Sequence, residues 1–296
     1  MQRYDSILIR GGPVPLRLIL AVTLISGLAA AQSVPRPKFF DHAVIQHSGP
    51  EVTVVANDPI PLLQAVSDLR LEYGWRINWE SAPGYSHFDL VDATDPKWRA
   101  AHPGEKGATR PAGGLFTATF PEPKEASNVS DERDALARLI DEYNATDNPG
   151  KYILRAEADG KFTIIGTRIR DETGALREMQ PLLDTPVTLA KAPRNVYDTI
   201  EAILGALQSV TGKKVLFVAA SSSLFINTQV NMGGEKVPAR DLLQQAFAST
   251  NRPLQYDLCL NSDVPVYLLN VSLTMIAEAD GLGGRKLVPV DRRARP

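Results

Sequence analysis

Val52-Thr53-Val54-Val55, then Asp58-Pro59, then Leu62, Val66, Leu69 and Tyr73, then Gly74, then Trp75-Arg76-Ile77-Asn78-Trp79-Glu80: this stretch decides the fold. Its first four residues are β-branched apolar or threonine and predict a strand. Asp58-Pro59 offers an N-cap with proline at the first helical position. The apolar residues that follow are spaced i, i+4, i+7 and i+11, one face of a helix. Gly74 supplies the stop, because glycine takes the left-handed conformation that ends helices. Residues 75–80 alternate apolar and polar, which predicts a strand with one buried face.

The same order recurs downstream. Val187-Thr188-Leu189 is the strand, and Asn195 with Asp198 approximates a capping box. Ile200, Leu204 and Leu207 form the helical stripe, Gly212 the stop, and Val215-Leu216-Phe217-Val218 the next strand. The two glycines are 138 positions apart, and at that offset Leu69 falls on Leu207, Ile77 on Val215 and Trp79 on Phe217.

Each stretch has a second part. Leu115 to Phe120 reads as a strand, and a helix from about Ser130 carries Leu136, Leu139, Ile140 and Tyr143. Tyr152-Ile153-Leu154 and Phe162-Thr163-Ile164-Ile165 then form a hairpin around Asp159-Gly160. In the later copy Asn227 to Met232 is the strand and Pro238 opens a helix with Leu242, Leu243, Ala246 and Phe247. Tyr256-Asp257-Leu258 and Val266 to Leu269 close it. Arg133-Asp134-Ala135-Leu136 aligns with Arg240-Asp241-Leu242-Leu243 at offset 107. The change from 138 to 107 places 31 extra residues in the first copy, within residues 81–114. The expected fold is therefore α+β: tandem duplicated β-α-β-β-α-β-β domains, helices packed on small sheets, with a long loop insertion in the first. The lean copy, at about 85 residues, is large enough for a modest core.

This order resembles the short N-terminal domain shared by secretins and TonB-dependent receptors. Ile203-Leu204-Gly205-Ala206-Leu207-Gln208-Ser209-Val210-Thr211-Gly212 is similar to that family's helix with a glycine before a strand, and Val237-Pro238-Ala239-Arg240-Asp241-Leu242-Leu243 to the opening of its second helix. Leu254-Gln255-Tyr256 is similar to the strand that follows, although Asn251-Arg252-Pro253 departs from the family's turn. The matches span about half the chain and carry no chemistry. Tyr73 to Glu80 also resembles segments of uncharacterised exported bacterial proteins. The resemblance implies a cell-envelope protein–protein contact module, without a catalytic residue.

The expected organisation is a signal peptide over 1–31, a leader over 32–50, the first repeat over 51–170, a linker over 171–185, the second repeat over 186–273 and a basic tail over 274–296. Arg3, Arg10 and Arg17 precede or flank the apolar run Leu18–Leu28, and Ala29-Ala30-Ala31 gives a small-x-small cleavage pattern. The run is short for a membrane span. The chain is therefore expected in the periplasm or outside a bacterium. Its 296 residues are 44% hydrophobic and 22% charged, which excludes a disordered or fibrous chain. Its 32 basic and 34 acidic residues become a net −4 once Arg3, Arg10, Arg17 and Asp5 are cleaved away, so nucleic acid is not an expected partner. An envelope protein is the expected partner, with no integral membrane domain after signal cleavage; the oligomeric state is left open. The single cysteine, Cys259, excludes an intrachain disulfide framework.

Insertions of this length are where function concentrates. Residues 81–114 contain the candidate binding residues Tyr85, His87, Asp89, Asp92, Trp98 and His102. His87, Asp89 and His102, with Asp92, are metal-ligand types, but their spacing matches no tight site and no metal or other cofactor is implied. Pro96 argues against a helix joining Asp92 to Asp95. Glu80 belongs to a polar strand face with Arg76 and Asn78, although a catalytic pairing with His87 is conceivable. Trp75, Ile77 and Trp79 read as core, and as a stacking surface only secondarily. Ser221-Ser222-Ser223, Gly113-Gly114 and Gly233-Gly234 read as turns, and Arg285, Lys286, Arg292, Arg293 and Arg295 as a solvated tail. Two readings follow: a non-enzymatic interaction module, or a small-ligand binder or hydrolase built on 81–114.

Overall fold

The structure, a computed structural model, describes residues 39–124, 128–157, 160–219, 222–279 and 285–290. Residues 1–31, where a signal peptide is expected, and Asp159, Ser221, Arg292, Arg293 and Arg295 lie outside the described residues. The first half runs β1 (Val44–Ser48), β2 (Glu51–Asn57), α1 (Pro61–Tyr73), β3 (Ile77–Glu80), β4 (Leu90–Asp92), α2 (Pro96–Ala101), β5 (Thr109–Pro111), β6 (Leu115–Pro121), α3 (Val129–Asn144), β7 (Lys151–Ala156), β8 (Phe162–Arg170) and β9 (Leu176–Glu178). The second runs β10 (Pro186–Asn195), α4 (Val196–Thr211), β11 (Lys214–Ala219), α5 (Ser222–Asn227), β12 (Gln229–Pro238), α6 (Ala239–Ala248), β13 (Leu254–Leu260), β14 (Val266–Leu273), β15 (Met275–Ala279) and β16 (Arg285–Pro289).

Local chemistry sets the helix ends. Asn195 caps α4 by accepting from the Asp198 N–H at 2.7 Å, and Gly212 closes it at φ +69°. Gly74 closes α1 at φ +67°. The start of α1 differs from expectation: Pro61 rather than Pro59 is in its first turn, and the Asp58 carboxylate instead accepts from Ile60 N–H at 2.7 Å. Asn128 caps α3.

The two halves share one sheet of seven strands, in place of the two separate small sheets expected. Its order is β11-β14-β13-β3-β8-β7, with β9 on β8. Strand β3 runs parallel to β8, which is antiparallel to β7. Strand β11 runs parallel to β14, which is antiparallel to β13. A parallel seam, β13 with β3, joins the two groups by pairing Asp257 with Trp79 and Leu258 with Glu80.

Side-chain alternation puts the cores on opposite faces of this sheet. Ile77, Trp79, Phe162, Ile164 and Tyr152 meet α1 and α3, and across those helices Val52, Val54, Phe116 and Phe120 of the β1-β2-β6 sheet. Tyr256, Leu258, Tyr267 and Leu269 face the other way, toward α4 and α6, beyond which lie Val187 and Leu189 of the β10–β12 pair. Each half thus has helices between two sheet layers.

Several expectations are corrected. Strand β3 is buried on both faces, including Asn78 and Glu80, because the second half covers its polar side. The leader contains strand β1, and the linker contributes β9 to the sheet. Ser222 and Ser223 open a helix, and Asn227 ends that helix instead of starting a strand. Gly233 and Gly234 lie inside β12 at a register irregularity opposite β10; a Cβ on Gly233 would stand 2.5 Å from Lys191 N.

The tail is also structured in its first part. Strands β15 and β16 pair, Val290 N–H donates to Thr274 O at 2.9 Å, and Arg285 pairs with Glu72 of α1 at 2.7 Å. Ile276 lies against Gly74, where an added Cβ would meet its Cδ1 at 3.0 Å, whereas Gly212 has open space around it. Gly212→Ala is expected to cost about 1–2 kcal/mol from the left-handed backbone alone. Gly74→Ala should cost more because it also displaces the hairpin. Paired urea titrations check this; equal losses would show that the hairpin does not pack there.

Candidate functional site

The insertion is folded. Strands β4 and β5 pair, and Asp95 caps α2 by accepting from Lys97 and Trp98 N–H, with Pro96 in the first turn. Pro96 therefore opens a helix rather than preventing one, since the first helical N–H needs no partner. Asp92 lies before the helix and pairs with Arg99 at 2.7 Å. Hydrogen bonds from Thr94 and from Arg99 hold the Asp92 carboxyl down at about 2.

These contacts keep the candidate residues apart. Asp89 is buried and pairs with Arg170 Nε at 3.2 Å, tying the insertion to β8. His87 is exposed, its ring 3.9 Å from that of Phe88. His102 stacks on Trp98 at 4.5 Å, and its Nδ1 lies 2.9 Å from Trp98 O. Glu80 is engaged with Arg240 rather than His87. Among the described residues no three His, Cys, Asp or Glu side chains gather as a metal site. Asp89→Asn is expected to weaken the anchor by about 1.5–3 kcal/mol. Amide exchange should then accelerate over residues 87–111 ahead of the rest of the chain; uniform acceleration would contradict a local anchor.

Tyr85 is placed elsewhere, in a cleft of about 290 Å³ that also touches Pro83, Lys106, Lys213, Asp263 and Tyr267. The insertion reaches the β13–β14 turn here. Tyr267 Oη donates to Pro83 O at 3.0 Å, and Ser262 Oγ donates to Thr109 O at 2.8 Å. Burial pushes the Tyr85 hydroxyl above its usual range and the Cys259 thiol up to about 12, so both stay protonated at neutral pH. A protonated thiol is a poor nucleophile.

A set of charges that the sequence did not single out crosses the seam. Arg240 of α6 holds Glu80 of β3 with both donors, Nε to Oε1 at 2.7 Å and Nη2 to Oε2 at 2.6 Å. Tyr256 Oη donates to Glu80 Oε1 at 2.6 Å. Asp184 accepts from Arg240 and, at 2.9 and 3.1 Å, from Arg155 of β7. Burial works to raise the Asp184 carboxyl, and the two guanidiniums overcome it and hold it below the usual range. On the opposite face Arg70 of α1 pairs with Asp257 of β13 at 2.8 Å. Both faces of the seam are therefore locked by a charge from each half.

Among the described residues no strand pairs with the outer side of β11 or of β7, which leaves the sheet two open edges. Beyond Lys214, strand β11 carries Val215-Leu216-Phe217-Val218-Ala219 with no charge, proline or bulge, the features that usually guard an edge. Leu216 is 41% and Val218 49% exposed, and on β7 Ile153 is 41% exposed. Trp75, Ile77 and Trp79, in contrast, have no exposure and form core, not a stacking surface.

Comparison with known protein families, with curated proteins and with solved structures finds no match. No helix of the described residues is long and apolar enough to cross a membrane.

Proposed function

We propose that this chain is an exported cell-envelope interaction module whose two halves are tandem copies of one β-α-β-β-α-β-β unit, related to the short N-terminal domain of secretins and TonB-dependent receptors. Its role is non-enzymatic, and a partner adds a strand to an open edge of the seven-stranded sheet. The observation that carries this reading is the β11 edge, a run of five uncharged residues with Leu216 and Val218 exposed. Main-chain hydrogen bonds supply affinity in this mode and alternate side chains supply specificity. Equal strand order, and equal relative directions within β3-β8-β7 and within β11-β14-β13, support the duplication. The test is capture of an envelope protein from native membranes by wild type and by Val218→Lys. Capture lost in the variant supports the reading, and equal capture contradicts it.

A second reading, a small-ligand binder or hydrolase, draws on the cleft at Tyr85, where Lys106 and Lys213 would favour a small anion. Thermal shift with inorganic phosphate and with acetate, on wild type and on Lys106→Ala/Lys213→Ala, tests it. A shift confined to wild type supports it, and no shift in either protein opposes it.

A further inference from the structure

We propose that one occupant of the open edge is a second copy of this chain, with β7 of one molecule pairing in parallel with β11 of the next. The inference rests on the edge-pairing reading above and names its partner. The internal seam supplies the pattern. At the seam the Leu258 carbonyl accepts from Ser81 N–H at 2.8 Å, and Tyr256 N–H is occupied by Asn78 Oδ1 at 3.2 Å. Strand β7 has a similar outward pattern, with an asparagine side chain on the tyrosine N–H, here supplied by α3 of the same half. Tyr152 N–H and C=O are taken by the Asn144 side chain at 2.9 and 2.8 Å. Alternation along an antiparallel strand then turns the Leu154 N–H and C=O outward as well. Tyr152-Ile153-Leu154 occupies in the first half the place of Tyr256-Asp257-Leu258 in the second, just as Val215-Leu216-Phe217-Val218 occupies the place of Ile77-Asn78-Trp79-Glu80.

The directions agree. Moving from the first strand group to the second reverses the strands and exchanges the helix-bearing face, which is a half-turn about an axis across the sheet combined with a shift along it. Repeating that step sets β11 of another copy beside β7, parallel to it. Ile153 then faces Phe217, Leu154 faces Val218, and the Ala219 N–H donates to the Leu154 carbonyl. The exposed Ile153 and Val218 become covered. Because the two surfaces differ, the contact is heterologous and propagates rather than closing on a dimer.

The test is a mixing experiment read by sedimentation equilibrium and near-ultraviolet circular dichroism. An interface this small calls for about 0.1–1 mM protein. Wild type should rise in average mass with concentration. Ile153→Lys and Val218→Lys, both at exposed positions, should each stay at the mass of one chain with an unchanged dichroism spectrum. An equimolar mixture of the two should reach the mass of two chains and stop, since each blocks a different edge. Wild type that stays single, a variant that still assembles alone, or a mixture that stays single would each overturn the proposal. If wild type stays single while capture of an envelope protein still depends on Val218, only the self-pairing fails and the interaction reading stands.

Discussion

Arg240→Leu is expected to lower the free energy of unfolding by about 3–5 kcal/mol, because it leaves a carboxylate buried without its counter-charge. Glu80 is 1% exposed, and both its oxygens are held by Arg240. The Tyr256 hydroxyl alone would remain to it. The double variant Arg240→Leu/Glu80→Leu should recover much of the loss, since removing both charges also removes their desolvation cost. Urea unfolding of the four proteins in a double-mutant cycle measures the coupling. Equal and additive losses would show that the pair does not act as a unit. Asp184 gives the network a pH signature. Its carboxyl titrates lower in the folded chain than unfolded, so its contribution is fully present above the usual carboxylate range and is lost as pH falls through the folded value. Arg155→Leu should shrink that acid dependence, and an unchanged acid limb would count against the assignment.

Trp79→Ala is expected to cost about 3–5 kcal/mol, the range for deleting a large buried aromatic. Trp79 has no exposure, lies 4.6 Å from the Tyr152 ring, and sits on the strand that borders the seam. The cavity would open beneath β3, so both halves should lose protection together in amide exchange. A loss under about 1 kcal/mol would place the ring outside a packed core.

What could be read in the sequence was what neighbouring residues determine. Gly74 and Gly212 mark helix ends because a left-handed residue there is a one-residue requirement. Asn195 and its N–H partner lie three residues apart, and the α4 stripe repeats every turn. Asp95-Pro96 carried the same cap signal but sat in an insertion, where proline reads more readily as a breaker. Gly233-Gly234 reads as a turn until β10 is beside it; what glycine provides there is room for another backbone. The segment from Met275 to Pro289 holds two short strand-forming runs on either side of glycines, a hairpin pattern that its basic residues mask as a solvated tail.

The seam had no such signal. It depends on contacts between residues far apart in sequence, Trp79 with Asp257 and Glu80 with Arg240. Asn78 and Glu80 look like a solvated strand face because alternation says which residues share a face, not what covers it. The candidate site divided in the same way. Tyr85 lies in a cleft, whereas Asp89, Asp92 and the Trp98–His102 stack are used to hold the insertion together. Which strands form the open edges follows from the seam in the same way, because it sets the order of the sheet.

The most direct measurement is site-specific photo-crosslinking in intact cells, with a photoreactive residue at Val218 on the β11 edge and, as control, at Glu51, which is exposed but whose strand is paired on both sides. Adducts at Val218 that are absent at Glu51 and disappear with Leu216→Lys are the predicted result. Absence of adducts at Val218, or equal adducts at both positions, would contradict a sheet-edge interaction module.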